Sequence, residues 1–253
     1  MRWRECATRA DTARMRIERV APDFFIAIGD TYAANASVLL KGNEALLVDG
    51  MASIADAEAL RRQLDADGRR VRMIVCTHYF SDHLAALRLF PEAEIVAHEL
   101  YRQTFDSELH RTDEETAHFV EPTIVIGDRA RIRWGRFTLD VFHNPGHTMS
   151  TLGIDVAEED LLFVADTVVG NIVYLAYTSP SLMESALDRL ERLRRGRILS
   201  SHGGVRSSDA IANAKDYLKR LREGATDFDL SDFEHVFHER NVELRQRSPL
   251  AFT

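Results

Sequence analysis

The chain reads as an α/β protein, and three features of its patterning carry that reading. Strand-like and helix-like segments alternate from Met15 to Ala97. Strand patterns return between Thr123 and Val164, followed by amphipathic helices. Imidazoles and carboxylates gather where apolar runs end, which is where an α/β sheet edge places its chemistry.

Taken in order, residues 15–49 alternate like paired strands, with Lys41, Gly42, Asn43 and Glu44 as a hairpin turn. A helix is predicted over 53–66, because Ser53 can cap it, Ile54, Ala57, Leu60 and Leu64 share a face, and Gly68 follows its end. The continuous apolar run over 71–77 suits a strand covered on both faces. Ser81 is placed to cap a short helix that buries Leu84, Leu87 and Phe90, and 94–97 is the next strand. Asp82 and His83 would open that helix, whose N-terminal dipole favours anions. Residues 99–121 are polar and helix-like. Strands over 123–164 are separated by Gly127-Asp128, by Gly135 and by the Asn144-Pro145-Gly146 turn. A helix over 181–193 carries Leu182, Ala186, Leu190 and Leu193 on one face, and two more follow over 207–222 and 231–246.

Composition excludes several classes. The 253 residues are 45% hydrophobic and 28% charged, an ordinary balance for a globular protein with a substantial core. A net charge of −8 argues against a nucleic-acid partner, which requires a basic face. Cys6 and Cys76 make neither a disulfide framework nor a metal-binding pair, and Cys76 is expected as a small core residue. No apolar stretch reaches the roughly 18 residues of a membrane span. Residues 1–14 carry Arg2, Arg4, Arg9 and Arg14 without an apolar core, so a secretory signal is not expected there. They read as a disordered leader, or Met15 as the true start, with 15–253 as a single domain in the cytoplasm.

The residues that carry chemistry are His78, Asp82, His83, His147, Asp166 and His202. His78 follows the run Val71 to Cys76, His147 follows Phe137 to Phe142, Asp166 follows Asp160 to Ala165, and His202 follows Arg197 to Ser201. Singly, each could cap a strand end; together they form a donor set that suits a metal ion. No Gly-x-Ser-x-Gly elbow, phosphate loop or Gly-x-Gly-x-x-Gly motif offers a competing chemistry.

This pattern resembles the metallo-β-lactamase superfamily, whose signature is His-x-His-x-Asp-His, then Pro-Gly-His-Thr, then Asp, then His. Here it stands as His78-Tyr79-Phe80-Ser81-Asp82-His83, Pro145-Gly146-His147-Thr148, Asp166 and His202. The resemblance implies a four-layer αββα sandwich, two mixed sheets face to face with helices outside. It implies one metal held by His78, His147 and Asp166, and a second held by Asp82, His83, His202 and the bridging Asp166. Phe80 stands where the signature has its second His, so the first site is one ligand short. Asp49, with Thr77, is implied as support behind the ligands, and Asp82 doubles as the candidate catalytic residue. Zn²⁺ is the expected cofactor, one ion or two, with iron or manganese compatible with the same donors. A metal so held lowers the pKa of its water to about 7, giving a nucleophile at neutral pH.

Tyr79, Phe80, Tyr174 and Tyr177, with Asn171, are the candidate walls of an apolar pocket. Tyr79 reads equally as a donor to a developing oxyanion or as a packing aromatic. His143 is expected to be structural, His98 to cap a strand or to support the ligands from behind, and His110, His118, His235 and His238 to face solvent. The expected function is a metal-dependent hydrolase of a small ester, lactone, thioester or amide. Its partner is a small molecule, with no nucleic acid or membrane and a homodimer left open. An iron-dependent oxidoreductase and a non-catalytic binder with a degenerate site are the alternatives; iron content would mark the first, absence of turnover the second.

Overall fold

A computed structural model describes residues 15–108 and 111–247. The leader expected over 1–14 lies outside the described residues, as does His110.

The first half of the chain supplies β1 (Arg16–Ala21), β2 (Phe24–Ile28), β3 (Asn35–Lys41), β4 (Glu44–Val48), α1 (Ile54–Ala66), β5 (Arg70–Val75) and β6 (Glu94–His98). Two short helices, α2 (Tyr101–Ser107) and α3 (Asp113–Ala117), precede β7 (Ile124–Ile126). The second half supplies β8 (Arg129–Trp134), β9 (Phe137–His143), β10 (Leu152–Val156), β11 (Leu161–Phe163), α4 (Pro180–Arg192), β12 (Arg197–Leu199) and β13 (Arg206–Ser207). Helices α5 (Asp209–Glu223) and α6 (Asp232–Arg247) close the described chain.

The strands form two mixed sheets. One runs β1-β2-β3-β4-β5-β6-β7, antiparallel up to β4 and parallel from β4 onward. The other runs β13-β12-β11-β10-β9-β8, with only β11 and β12 parallel. Strand alternation aims one set of side chains between the sheets. Phe24, Ile26, Leu46, Val48 and Val75 from the first meet Phe137, Leu139, Ile154, Leu161 and Phe163 from the second. The ring of Phe24 lies 6.1 Å from that of Phe137 and 6.2 Å from that of Phe163.

The outer faces take the helices. Leu60 and Leu64 of α1 pack on Ala27, Val38, Leu47 and Ile74. Met183 and Leu187 of α4, Ile211 and Leu218 of α5 and Phe237 of α6 pack on Leu162, Val164 and Ile198. The architecture is the expected four-layer αββα sandwich. As predicted, Ser53 caps α1, its side chain accepting from the Asp56 backbone N–H. Gly42 takes the left-handed conformation (φ 58°) in the β3–β4 hairpin, where a residue without Cβ pays no steric cost. No described helix is long and apolar enough to cross a membrane.

The helix predicted from Ser81 to Phe90 is not there. Two single 3₁₀ turns, Ser81–His83 and Leu87–Leu89, take its place. Backbone groups that a helix would pair internally must find partners elsewhere, and here they go to the neighbouring 50–51 segment. Gly50 N–H donates to His83 O (2.7 Å), Ala85 N–H to Met51 O (3.2 Å) and Ala86 N–H to Gly50 O (2.8 Å). Leu84 and Leu87 are buried as their spacing predicted. The notion that Asp82 and His83 sit on a helix dipole falls with the helix.

Candidate metal centre

The ends of strands from both sheets meet at one edge. Their junction is held by backbone bonds between the sheets, Leu152 N–H to Thr77 O (2.7 Å) and Asn35 N–H to Ser201 O (2.9 Å). The Asn35 side chain adds two more, to Ser200 O (2.8 Å) and Gly203 O (2.9 Å). Asp49 lies just past β4, His78 past β5, Asp166 past β11 and His202 past β12. Asp49, Met51, Ala165 and Tyr32 all hold left-handed backbone (φ 61°, 66°, 49° and 57°). Strain of about 1–3 kcal/mol at each such residue persists only where the surroundings impose it, and it clusters here.

Two groups of donors lie together. His78, His147 and Asp166 bring one ligand atom each within 4.8 Å of one another, and so do Asp82, His83 and His202. Asp166 joins the groups, its Oδ2 lying 2.9 Å from His202 Nε2 and 3.6 Å from His83 Nε2. All six residues singled out in the sequence are therefore brought together, in these two groups. Five buried atoms among them have no hydrogen-bond partner: His78 Nε2, both ring nitrogens of His83, His147 Nε2 and Asp166 Oδ1. Leaving each bare costs about 1–3 kcal/mol, so convergent orphans in a buried site fit a cation.

The support behind the histidines sets their tautomers. Asp49, fully buried, accepts from Thr77 N–H (2.7 Å), Thr77 Oγ1 (2.9 Å) and Ser201 Oγ (2.8 Å). With its proton directed to Asp49, Thr77 Oγ1 accepts from His78 Nδ1 at 3.1 Å. His202 Nδ1 donates to Tyr32 O (3.0 Å) and His147 Nδ1 to Tyr174 O (3.5 Å). All three rings thereby turn Nε2 inward, unpartnered in His78 and His147 and against Asp166 Oδ2 in His202.

The electrostatics point the same way. Burial, against Asp166, pulls the His78 and His147 imidazoles below their ordinary value. Burial alone would also lower His83, but Asp82 and Asp166 outweigh it and lift that imidazole to about 10. Burial would push the Asp166 carboxyl up, yet His202 and His83 hold it well below the carboxylate range. Without a metal the carboxylates draw protons onto His83 and His202, against their burial, while His78 and His147 stay neutral; the cluster favours positive charge.

Phe80 faces this centre, its ring 5.4 Å from those of both His78 and His147 and 4.6 Å from that of Tyr177. Tyr174 stacks 5.8 Å from His147. Tyr79 does not join them. Flanked by two residues that point to the centre, it turns to the opposite side, packs on Tyr101 and Phe119 and donates to Val120 O (2.5 Å). Its expected place in the pocket or at an oxyanion is corrected to that of a packing aromatic. Asn171 is likewise a tether, its backbone N–H donating to Glu234 Oε1 at 2.6 Å.

His143 stacks on His98 at 3.9 Å and bonds Met149 O, away from the donor groups, while His98 Nδ1 accepts from Leu100 N–H. His235 is exposed as expected. His118 and His238 are not: both are buried, His118 Nδ1 donating to Ser81 O (2.9 Å) and His238 Nδ1 paired with Tyr217 Oη (2.9 Å). Polar helical surroundings in sequence gave no sign that tertiary packing would cover them.

Four contributors escaped the sequence reading. Ser201 adds a donor to Asp49. Glu108 accepts from both the N–H (2.9 Å) and hydroxyl (2.7 Å) of Ser81, fixing the turn that carries Asp82 and His83. Phe233 and Phe237 of α6 lie 5.9 and 6.5 Å from the His202 ring. Their four-residue spacing marked one helix face, but nothing in sequence linked that face to a metal centre.

Residues 29–202 match the sequence model described as the metallo-beta-lactamase superfamily. The lactamase-like protein adaB of Aspergillus niger is 25% identical over 187 residues, 73% of this chain and 54% of that protein. A hydroxyacylglutathione hydrolase of Rhodopseudomonas palustris is 25% identical over 134 residues, 52% of this chain and 48% of that protein. The chain spans about half the length of the curated relatives it matches. Among solved structures, the DIM-1 metallo-beta-lactamase superposes with a TM-score of 0.68 at 15% identity, covering 83% of this chain and 99% of that one. The metallo-beta-lactamase from Pontibacter korlensis gives 0.67 at 16%, covering 81% and 99%. Likeness at such identity is one of fold.

Proposed function

The chain belongs to the metallo-beta-lactamase superfamily, and from that premise we propose that it is a zinc-dependent hydrolase of a small ester, lactone, thioester or amide. The observation that carries the proposal is the convergence of buried, unpartnered donor atoms from four residues, His78 Nε2, His83 Nε2, His147 Nε2 and Asp166 Oδ1, within the two donor groups. His78, His147 and Asp166 would hold one ion, and Asp82, His83, His202 and Asp166 the other. A divalent ion there supplies Lewis acidity and lowers the pKa of its own water to about 7.

The remaining chemistry belongs to the chain. Asp82 is the most exposed of the six donors, its side chain 27% accessible, with Oδ2 3.8 Å from His202 Nε2. It would be the ligand carboxylate nearest an incoming substrate, in the role of general acid–base. Phe80, Tyr174, Tyr177, Phe233 and Phe237 gather aromatic rings on both sides of the donors, and they would exclude water and grip an apolar group. Burial pushes the Tyr177 phenol up to about 12, so it stays protonated and able to donate at neutral pH. The net charge of −8 suits a small molecule rather than a nucleic acid. Two relatives carry the name hydroxyacylglutathione hydrolase, which puts that substrate on the panel to be tried.

The test is metal content by plasma mass spectrometry on protein purified without chelator, followed by a panel of aryl esters, lactones, thioesters and hydroxyacylglutathione. Expected are about one to two zinc ions per chain and turnover that chelator abolishes. No metal as purified and none taken up on titration would remove the proposal.

A further inference from the structure

Helix α6 lies beyond the residues matched by the family model, yet two of its buried polar side chains hold the loop that follows Asp166. Glu234 Oε1 accepts from the backbone N–H (2.6 Å) and side-chain amide (3.1 Å) of Asn171. Its Oε2 accepts from the N–H (2.9 Å) and hydroxyl (2.6 Å) of Ser231. Two turns on, Asn241 is fully buried; its Oδ1 accepts from Leu175 N–H (2.9 Å) and its Nδ2 donates to Val173 O (2.6 Å). The loop is thus gripped on both sides of Tyr174. Gly170 marks how tight the seat is: it holds φ 66°, and a Cβ there would collide with the Glu234 carboxylate.

Tyr174 is the residue so gripped, and it touches the metal centre twice. Its carbonyl receives His147 Nδ1 at 3.5 Å, and its ring lies between His147 (5.8 Å) and Phe237 of α6 (5.1 Å). His78 and His202 take their orientation from Thr77 and Tyr32, neither of them on this loop. We propose that α6 is a positioning element of the metal centre: Glu234 and Asn241 fix the 170–175 loop, and the loop fixes the tautomer and ring orientation of His147. The consequence for metal rests on the reading of His147 as a ligand; the consequence for the imidazole itself does not.

The test follows imidazole ¹⁵N signals of His147 and His202 in the intact chain, first metal-free and then during zinc titration. In Glu234→Ala the metal-free His147 is expected to lose its fixed Nδ1–H tautomer while His202 keeps its own. Zinc binding read at His147 then weakens about 10-fold or more, the scale set by losing support behind a ligand, and binding read at His202 changes far less. Glu234→Gln, which keeps an acceptor for Asn171, restores most of the difference, and Glu239→Ala on the exposed side of α6 leaves both signals alone. Should Glu234→Ala fail to fold, Glu234→Asp keeps the charge but is too short to reach Asn171 and Ser231 together, and Asn241→Ala breaks the second grip. An unchanged His147 tautomer in these variants overturns the proposal. A wild type that takes up no zinc removes the hydrolase reading instead, and the metal-free signal still decides the role of α6.

Discussion

The hydroxyl of Thr77 sits between a buried carboxylate and a buried imidazole, and it has one proton to give. Given to Asp49, it leaves a lone pair for His78 Nδ1, which leaves His78 Nε2 free for the ion. Thr77→Val keeps the shape and removes that link. Zinc affinity at the His78–His147–Asp166 group is expected to fall about 10- to 100-fold, with Thr77→Ser close to wild type. Competition titration against a chelator reads this, and an unchanged affinity in the valine variant would detach Thr77 from the centre. Phe80 gives the complementary case. Its ring is 5.4 Å from both His78 and His147, so Phe80→His adds a donor at the group that lacks one. The same titration is expected to show tighter binding there and a fuller second equivalent of zinc. The six donors were legible in the sequence because their chemistry lies in the side chains and their position at the ends of apolar runs. Ser201, Glu108 and His118 were not, since a serine, a glutamate or a histidine acquires such a role only from what the fold sets beside it. Of the two readings of Tyr79 the packing one holds and its place in the pocket does not, because its neighbours at 78 and 80 point to the site and an extended backbone sends adjacent side chains to opposite sides.

At the scale of elements, the 81–90 segment shows a correct burial pattern attached to an incorrect structure. Leu84 and Leu87 point inward in a 3₁₀-turned loop as they would in a helix, because periodicity reports which side is buried and not where the backbone hydrogen bonds go. The anchor of this loop is Glu108, from the stretch just after α2. Burial, aided by the Asp82 charge, lifts its carboxyl to about 7 against the two bonds from Ser81. The folded value lies above the unfolded one of 4.5, so between these values the folded state binds more protons and stability falls as pH rises. The loss reaches at most about 3 kcal/mol above the upper value. Glu108→Gln has no proton to lose, so metal-free wild type and variant should diverge from about pH 5 to about 7, the wild type weakening relative to the variant. Urea unfolding across that range measures it; parallel curves would place the titration elsewhere. Helix α6 was legible as a helix over 231–246. Its grip on the 170–175 loop was not, because Glu234 and Asn241 meet partners some sixty residues away.

Across the whole molecule the two sheets share one inner core and one edge that carries the donors. The patterning showed strands, helices and the hairpin at Lys41 to Glu44, but the strand order of the two sheets came only with the structure, since alternation fixes a strand's faces and leaves its neighbours open. What joins the sheets at that edge is in part backbone, through Thr77, Leu152, Asn35 and Ser201, and in part the donor cluster itself. His78 belongs to the first sheet's strand ends, and Asp166 and His202 to the second's, so an ion held between them cross-links both sheets. An ion bound only by the folded chain stabilises it by about 2.7 kcal/mol at a hundred times its dissociation constant. For a chain of this size that shifts the unfolding midpoint by about 2–4 °C per kcal/mol. Zinc is therefore expected to raise the midpoint by several degrees over chelated protein. The ion must displace a proton from His83, which holds it up to about pH 10 in the metal-free state. The zinc-induced gain should therefore grow from about pH 6 to about pH 8. Calorimetry with zinc and with chelator at both pH values measures it. A midpoint that zinc leaves unmoved would mean the donors do not bridge the sheets through an ion, and a gain that shrinks as pH rises would contradict the proton inventory of the cluster.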